Sequence, residues 1–457
     1  MDYDIIVIGG GSAGYAAASA AEHAGAKVAI FDPGPLGGLC ILRGCMPTKT
    51  ILRSSDVMGL MQRAGEFGLA TDNPRADLAA IIDRKTKLID DFTRYRVEQL
   101  KSPRFTLIEQ PVRFVSSTAV EAGGKRYSAH AFIIATGSVI ADIPVPGLAE
   151  AGFMTSDDVL ELREQPDSMM VLGAGFVGVE LAQFFQRIGT QVTVVQRSGH
   201  ILSAQDEDMA RPVEARFREE GMAVYTGTRD LKISVQDGKR CAHFLHEGKE
   251  TTVSASTILN ALGRTPNVAG LNLEAAGVKM GDWGIAVDAT MRTSKRNIFA
   301  VGDVNGLHEV VHIAIQQGEI AAHNALNPDG AQQRFEERMK TSVVFTDPAV
   351  ASVGYSEKEC LHNNWPYLAA SYPFDDHGKS LCLGETHGLV KLLCHPETGT
   401  LIGGHITGPE AGELIHHLTA VMYYHGTVHD MLKMPYYHPT LSEILTYPAE
   451  ELAEKIG

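Results

Sequence analysis

Two cysteines lie five positions apart in the stretch Gly37-Gly-Leu-Cys-Ile-Leu-Arg-Gly-Cys-Met-Pro-Thr-Lys49, in a chain that has only six. At that spacing Cys40 and Cys45 could be half of a metal site, a redox disulfide, or two thiols of a core. A zinc half-site needs a second ligand pair at short spacing, and Cys241, Cys360, Cys382 and Cys394 are scattered singly, so no metal is expected. Free cysteine is often simply core. The redox option gains from position. Pro47-Thr-Lys-Thr-Ile-Leu is expected to open a helix, and a thiolate near a helix N-terminus has a lowered pKa that makes it a better nucleophile and leaving group.

Thiol–disulfide exchange moves protons as well as electrons, so such a pair needs an acid–base group. Pro435-Tyr-Tyr-His-Pro-Thr-Leu-Ser-Glu supplies a candidate in His438, with Glu443 five residues on. Thr440 or Ser442 is expected to cap the helix that carries Glu443, whose carboxylate would hold the imidazole in one tautomer and raise its basicity. Among 18 histidines a lone one would be a surface residue; the His-Pro-x-x-x-Glu context sets this one apart.

These groups need carriers, and the sequence provides two copies of one. Asp4-Ile-Ile-Val-Ile is an apolar strand, followed by Gly9, Gly11 and Gly14 in a G-x-G-x-x-G turn and by an alanine-rich helix. Lys27–Phe31 reads as the next strand, ending at Asp32. Strand, glycine turn, helix, strand and acid form the dinucleotide fingerprint: Gly9 makes the tight turn, Gly11 admits a pyrophosphate, Gly14 joins helix to strand, and Asp32 accepts from a ribose hydroxyl.

The second copy follows Ser168-Met-Met-Val-Leu, with Gly173, Gly175 and Gly178, a helix, and the strand Gln191–Val195. Gly11 to Asp32 and Gly175 to Gln196 both span 21 residues. Each copy closes on an apolar strand entering a glycine, at Phe132-Ile-Ile-Ala-Thr136-Gly137 and Thr257-Ile-Leu-Asn-Ala-Leu-Gly263. Two matched units imply two dinucleotide domains and two dinucleotides. Gln196-Arg197 replaces the acid in the second copy; an acid there selects a free 2′-hydroxyl and an arginine accommodates a 2′-phosphate, so the site leans to NADP. Asn297-Ile-Phe-Ala-Val-Gly302-Asp303 adds a further strand ending in a glycine and an acid.

Bulk properties fit this reading. A chain of 457 residues calls for several domains, and 44% hydrophobic residues is ordinary for a globular protein. The net charge of −15 argues against nucleic acid as a partner. No apolar run reaches the roughly 18 residues needed to span a membrane. A start without a basic leader and the sparse cysteines point to a cytoplasmic setting. The charged segment Asp83–Leu100 reads as a solvated helix face, and His416, His417, His425 and His429 as surface or interface histidines.

Taken in order, these motifs resemble the flavin disulfide reductase family, the class I pyridine nucleotide-disulfide oxidoreductases, and within it the dihydrolipoyl dehydrogenase type. The resemblance also draws on Gly37-Gly38-x-Cys40-x4-Cys45-x3-Lys49, Gly263-Arg264-x-Pro266-Asn267, and Phe345-Thr-Asp-Pro-Ala-Val-Ala-Ser-Val-Gly, and it runs from Asp4 to about Ile444. It implies an α/β protein with two Rossmann-like domains, for FAD (1–145) and NAD(P) (146–268). A central domain (269–335) returns to the FAD, and an α+β dimerisation domain (336–457) follows.

It further implies roles. Cys45 would face the flavin as a charge-transfer thiolate and Cys40 would be the interchange thiol. Lys49 and Glu180 would pair near flavin N5, Phe176 would be a lid over the nicotinamide site, and Asp303 would bind the ribityl chain. Gly38, Thr136, Gly137, Gly263 and Arg264 would belong to the cofactor sites. His438 and Glu443 would act on the disulfide of the partner chain in a homodimer.

The family commonly has Thr and Asn where this chain has Leu39 and Leu42, with Arg43 beside them, and dihydrolipoyl dehydrogenases usually read His-Ala-His-Pro where this chain has Tyr436-Tyr437. Without a terminal cysteine pair or an N-terminal metal-binding extension, a mercuric reductase or large thioredoxin reductase is disfavoured. The expectation is two-electron exchange between NAD(P)(H) and a dithiol or disulfide. The alternatives are a reductase of another small disulfide, a diaphorase reducing quinones, or a non-catalytic flavoprotein scaffold.

Overall fold

Both glycine turns sit where the sequence places them, at the ends of buried parallel strands. The computed structural model describes residues 1–456. It divides into two compact units, one made of Met1–Thr48, Asp83–Asp142 and Gly263–Glu336, the other of Lys49–Ile82, Ile143–Leu262 and the chain from Glu337 on.

In the first unit the parallel strands run in the order Thr106–Ile108, Val28–Phe31, Tyr3–Ile8, Lys125–Ile134 and Ile298–Ala300. Strands buried on both faces must be apolar throughout. Ile5, Val7, Ile30 and Ile133 fill one face, while Ile6, Ile8, Phe31, Phe132 and Ile134 fill the other. Lys125–Ile134 is longer than its apolar end suggests: its first half pairs antiparallel with Ala119–Ala122, its second half parallel with Tyr3–Ile8. The helices Ser12–His23 and Val311–Leu326 lie against each other, and a Cβ on Gly318 would meet Ala13 O at 2.4 Å.

The second unit repeats the device. Its parallel sheet has the order Ala223–Tyr225, Gln191–Val195, Ser168–Leu172 and Thr257–Asn260. A three-stranded antiparallel sheet, Arg229–Gln236, Lys239–His246 and Lys249–Ala255, adjoins it through the apolar cluster of Ile233, Ala242, Phe244, Met170 and Leu172. Towards the C-terminus, a five-stranded antiparallel sheet packs on the helices Ala411–Tyr423 and Thr446–Ile456 through Val353, Leu392, Ile406, Ile415 and Leu452.

Three local expectations are corrected. The strand expected over Lys27–Phe31 begins at Val28. The helix expected to open at Pro47 starts at Cys45 and runs to Gln62, because proline is tolerated in a first turn, where its missing N–H has no intrahelical partner. The segment Asp83–Leu100 belongs to the helix Leu78–Leu100 and is not wholly solvated, since Lys85, Ile89 and Leu100 are buried.

The steric requirement at the turns is severe. A Cβ on Gly14 would lie 1.8 Å from Gly9 O, and one on Gly178 would lie 2.1 Å from Gly173 O. Gly178→Ala should therefore lower stability by about 3 kcal/mol, the upper range of single-site effects. Thermal unfolding against a Gly175→Ala control, which has open space around it, checks this.

Candidate active site

The two glycine turns are built alike. Gly9 (φ +105°) and Gly173 (φ +95°) adopt left-handed conformations, and a Cβ on either would strike the carbonyl of Ala135 at 2.3 Å or of Ala261 at 2.4 Å. Only glycine lets the end of the first strand pass so close to its neighbour. The middle glycines stand clear: Gly11 has only Gly38 Cα, at 3.8 Å, and Gly175 has nothing within 4 Å.

Each middle glycine is the N-cap of a helix, Ser12–His23 or Phe176–Ile188, and neither cap has a side-chain hydrogen bond. Those N-terminal amides are therefore left to an anion. The residue after the second strand reaches back to each turn. Gly10 N donates to Asp32 Oδ2 at 2.7 Å, and Ala174 N donates to Gln196 Oε1 at 3.0 Å. Asp32 Oδ1 accepts a second N–H, from Gly34 at 2.8 Å. Both side chains thus brace their own loop, a task the sequence reading missed. Arg197, beside Gln196, is exposed.

A second group surrounds Asp303. Ser138 Oγ donates to Asp303 Oδ2 at 2.7 Å, and Arg264 donates through Nε to Ser138 Oγ at 2.8 Å and through Nη2 to Ser138 O at 2.9 Å. Arg264 thus holds Ser138 and reaches Asp303 through it. Thr136 Oγ1 donates to Asn267 O at 2.6 Å, which ties the Thr136-Gly137 turn to the segment after Gly263-Arg264. Ser138 was missed because nothing distinguishes it in the sequence except its place after Ala-Thr-Gly. Buried Gln317 accepts from Gly302 N at 2.8 Å and Asn305 Nδ2 at 2.9 Å, while its own Nε2 has no hydrogen-bond partner among the described residues.

Cys40 lies in a four-residue helix, Leu39–Leu42, and Cys45 is the first residue of the helix Cys45–Gln62; both are partly buried. Gly38 (φ +78°) turns the chain into the first of these helices, and its Cα packs on Gly11, where a Cβ would meet Gly11 Cα at 2.6 Å. The departure at Leu42 has a packing reason. Its side chain lies over Gly37, 3.1 Å from where a Cβ there would stand. No comparable contact accounts for Leu39.

Lys49 donates from Nζ to Glu180 Oε2 at 2.7 Å and sits 4.7 Å from the centre of the Phe345 ring. Glu180, 3% exposed, takes a second proton donor at Oε1, the N–H of Phe345 at 2.9 Å. One helix turn on, Gln183 brackets Asp347, accepting its N–H at 2.8 Å and donating to its carbonyl at 2.7 Å. A further turn on, Arg187 pairs with the Asp347 carboxylate and with Glu220 at 2.6 Å. The Arg187 guanidinium holds the Asp347 carboxyl below its usual range, against burial. Glu180, Gln183 and Arg187 thus form a polar stripe at helical spacing that grips Phe345–Asp347. The sequence reading found Glu180 alone; the other two were visible as polar residues spaced by three and four in an apolar helix. Phe176 opens this helix and is half-buried against its apolar cluster.

His438 Nδ1 and Glu443 Oε1 are 2.9 Å apart, and Glu443 Oε2 accepts the N–H of Thr440 at 2.7 Å. Hydrogen bonding from Thr440 and then from His438 holds the Glu443 carboxyl below its ordinary pKa. The expected cap operates through the Glu443 carboxylate on the Thr440 amide, and the element is the 3₁₀ turn Leu441–Leu445, not an α-helix. The tyrosines diverge. Tyr437 is 82% exposed, whereas Tyr436 stacks on His417 with ring centres 5.4 Å apart, its hydroxyl buried without a hydrogen-bond partner among the described residues. His425 lies 3.3 Å from Arg338.

Comparison with known proteins adds the context. Residues 3–318 match the family model "Pyridine nucleotide-disulphide oxidoreductase", and residues 341–449 match that family's dimerisation domain. The chain belongs to this family. Among its relatives, a mercuric reductase of Staphylococcus aureus is 34% identical over 93% of this chain and 78% of its own length. A dihydrolipoyl dehydrogenase of Thermus scotoductus is 35% identical over 93% of this chain and 92% of its own. Of solved structures, LpdA from Mycobacterium tuberculosis superposes with a TM-score of 0.87 at 27% identity, covering 98% of this chain and 99% of that one. The HOCl-induced flavoprotein disulfide reductase RclA of Escherichia coli shares the fold, with a TM-score of 0.84 at 24% identity over 98% and 99% of the two chains.

As a member of the pyridine nucleotide-disulfide oxidoreductases, the protein is an α/β enzyme that uses FAD and NAD(P)H. Its residues fit both groups: two glycine cradles with uncapped helix amides each suit a pyrophosphate. No helix among the described residues is long and apolar enough to cross a membrane.

Glu180→Ala would strand the Lys49 ammonium and the Phe345 N–H together. The expected loss is about 2 kcal/mol, less than for a fully buried pair because Lys49 is one-third exposed. Chemical denaturation of the apoprotein reads this free of any cofactor effect.

Proposed function

We propose that the enzyme exchanges two electrons between NAD(P)(H) and a dithiol or disulfide, in the manner of a dihydrolipoyl dehydrogenase, with Cys40 and Cys45 as its redox pair. The observation that carries the reading is the His438–Glu443 contact, with its carboxylate anchored on Thr440. A carboxylate held ionised accepts from Nδ1–H, which fixes the tautomer and leaves Nε2 free to take a proton from a substrate thiol. Proton removal generates the thiolate that attacks the Cys40 sulfur; Cys45 leaves as a thiolate at the start of its helix, where the helix dipole stabilises it. The substrate's second thiol then attacks the substrate sulfur of this mixed disulfide and gives up its proton; Cys40 leaves and is protonated, so the substrate departs as a disulfide, with Cys40 a thiol, Cys45 a thiolate and one proton held on the imidazole.

FAD and NAD(P), when bound, supply the hydride chemistry that empties or refills the thiol pair. Lys49, oriented by Glu180, would supply a positive charge at the flavin, and Asp303, held by Ser138, would anchor its ribityl chain. In this proposal the four segments 1–145, 146–268, 269–335 and 336–457 serve FAD, NAD(P), the return to FAD, and dimerisation. His438 acts on the disulfide of the partner chain, and the enzyme works in the cytoplasm. Relatives named for mercury and for lipoyl substrates stand at 34% and 35% identity. The retained His-Pro-x-x-x-Glu unit favours the thiol chemistry.

Reduction with two electrons should produce a long-wavelength absorbance that Cys45→Ser abolishes; a band that persists in the variant overturns the assignment of Cys45. His438→Gln should slow oxidation of dihydrolipoamide by about 100-fold, the scale of general-base catalysis. An unchanged rate removes His438 from the reaction. The neutral Gln196 beside exposed Arg197 should give a higher kcat/KM with NADPH than with NADH, reduced about 10-fold by Arg197→Ala. A strong preference for NADH would contradict it.

A further inference from the structure

Among the described residues no carboxylate pairs with one guanidinium of the helix Leu78–Leu100, that of Arg96. Arg96 lies 4.3 Å above the centre of the Tyr15 ring, and its Nε is buried with no hydrogen-bond partner among the described residues. Burial pulls the Arg96 pKa down, while Tyr15 and then Cys40 pull it back up. An unpaired, half-buried cation is costly unless an anion reaches it. Its platform is firmly placed. Arg104 pairs with Glu22 at 3.2 Å and reaches the Tyr15 hydroxyl at 3.4 Å, and Phe105 meets the Tyr15 ring edge-on at 6.2 Å.

Arg96 and Tyr15 line a cleft of about 1060 Å³ whose walls come from the helices Ser12–His23 and Val311–Leu326, all within the first unit. Ser12 also lines it, and Gly11-Ser12 is the backbone on which Gly38 packs, two residues before Cys40. The cleft is therefore adjacent to the loop that carries the exchange thiol. Its other charged or titratable lining groups have different duties. Asp4 accepts the Lys27 N–H at 2.8 Å, His23 is bonded to Ser19 O at 2.7 Å, and His323 to Ala331 O at 3.3 Å. Glu319 is exposed on the Val311–Leu326 wall, where it disfavours a polyanion.

We propose that Arg96 is a specificity-determining residue whose guanidinium binds the carboxylate of a small monoanionic disulfide or dithiol lying in this cleft with its sulfur pair at Cys40. The proposal rests on the reading of Cys40 as the exchange thiol, and it gives a role to a helix face that the sequence marks only as solvated charge.

Lipoate and lipoamide carry the same disulfide and differ in a carboxylate against a carboxamide, so they isolate the charge. With the holoenzyme, Arg96→Gln should raise KM for lipoate about 10-fold, the worth of one charged hydrogen bond, and leave lipoamide within about twofold. Arg96→Lys should recover part of the loss. Equal changes for both compounds would mean that Arg96 acts on Cys40 and not on the substrate, and no change would mean that it does neither; either result overturns the proposal. Gln is a good helix former, so the variant should fold, which its melting temperature and flavin content verify. Calorimetric titration of lipoate into Cys40→Ser holoenzyme, with and without Arg96→Gln, reads the same affinity without turnover. Wild-type enzyme that reduces neither compound would instead remove the exchange reading itself, whereas normal lipoamide turnover without charge discrimination would remove only the role of Arg96.

Discussion

Backbone carbonyls pressed against glycine Cα atoms are the constraint on which the rest of this protein depends. Ala135 O on Gly9 and Gly9 O on Gly14 recur as Ala261 O on Gly173 and Gly173 O on Gly178. These contacts draw strand, helix and neighbouring strand together, and they leave the helix N-terminal amides uncovered. The same device fixes the cysteine loop, because Gly38 reaches its position only by lying against Gly11. A methyl group at any of these closing positions would separate the elements that must meet.

Around that backbone frame, polar side chains hold the loops that chemistry uses. Asp32 and Gln196 do equivalent work on Gly10 and Ala174, although one is charged and the other is not. Glu180, Gln183 and Arg187 do it for Phe345–Asp347, and Ser138 relays Arg264 to Asp303. Buried Lys391 gathers Asp206, Asp208 and Glu357, and those carboxylates raise its pKa although burial works against them. A charge removed from water needs partners on every side. That rule sets Arg96 apart, since among the described residues no carboxylate pairs with it and it lies on an aromatic face.

The His438–Glu443 unit shows how few residues can set a proton's position. The carboxylate is fixed by one backbone amide at one oxygen and holds the ring at the other. The exposed imidazole keeps its second nitrogen for whatever approaches. Tyr436 and Tyr437, adjacent in sequence, separate completely: one is stacked inward on His417 and the other lies in solvent.

Fold class, the two glycine turns, the strand Gln191–Val195 and the family are legible in the sequence by itself, because each follows from short-range rules: apolar runs, glycine spacing and residues that only one conformation accepts. His438 with Glu443 is legible for the same reason, being a contact across five residues. Tertiary structure alone decided that Arg264 serves Ser138 and that the stripe of Glu180, Gln183 and Arg187 grips Phe345–Asp347. It also decided that one arginine of a charged helix, Arg96, lies on the Tyr15 ring in a cleft. Those facts depend on which distant segments arrive beside each side chain, and neither propensity nor spacing along one segment carries that information.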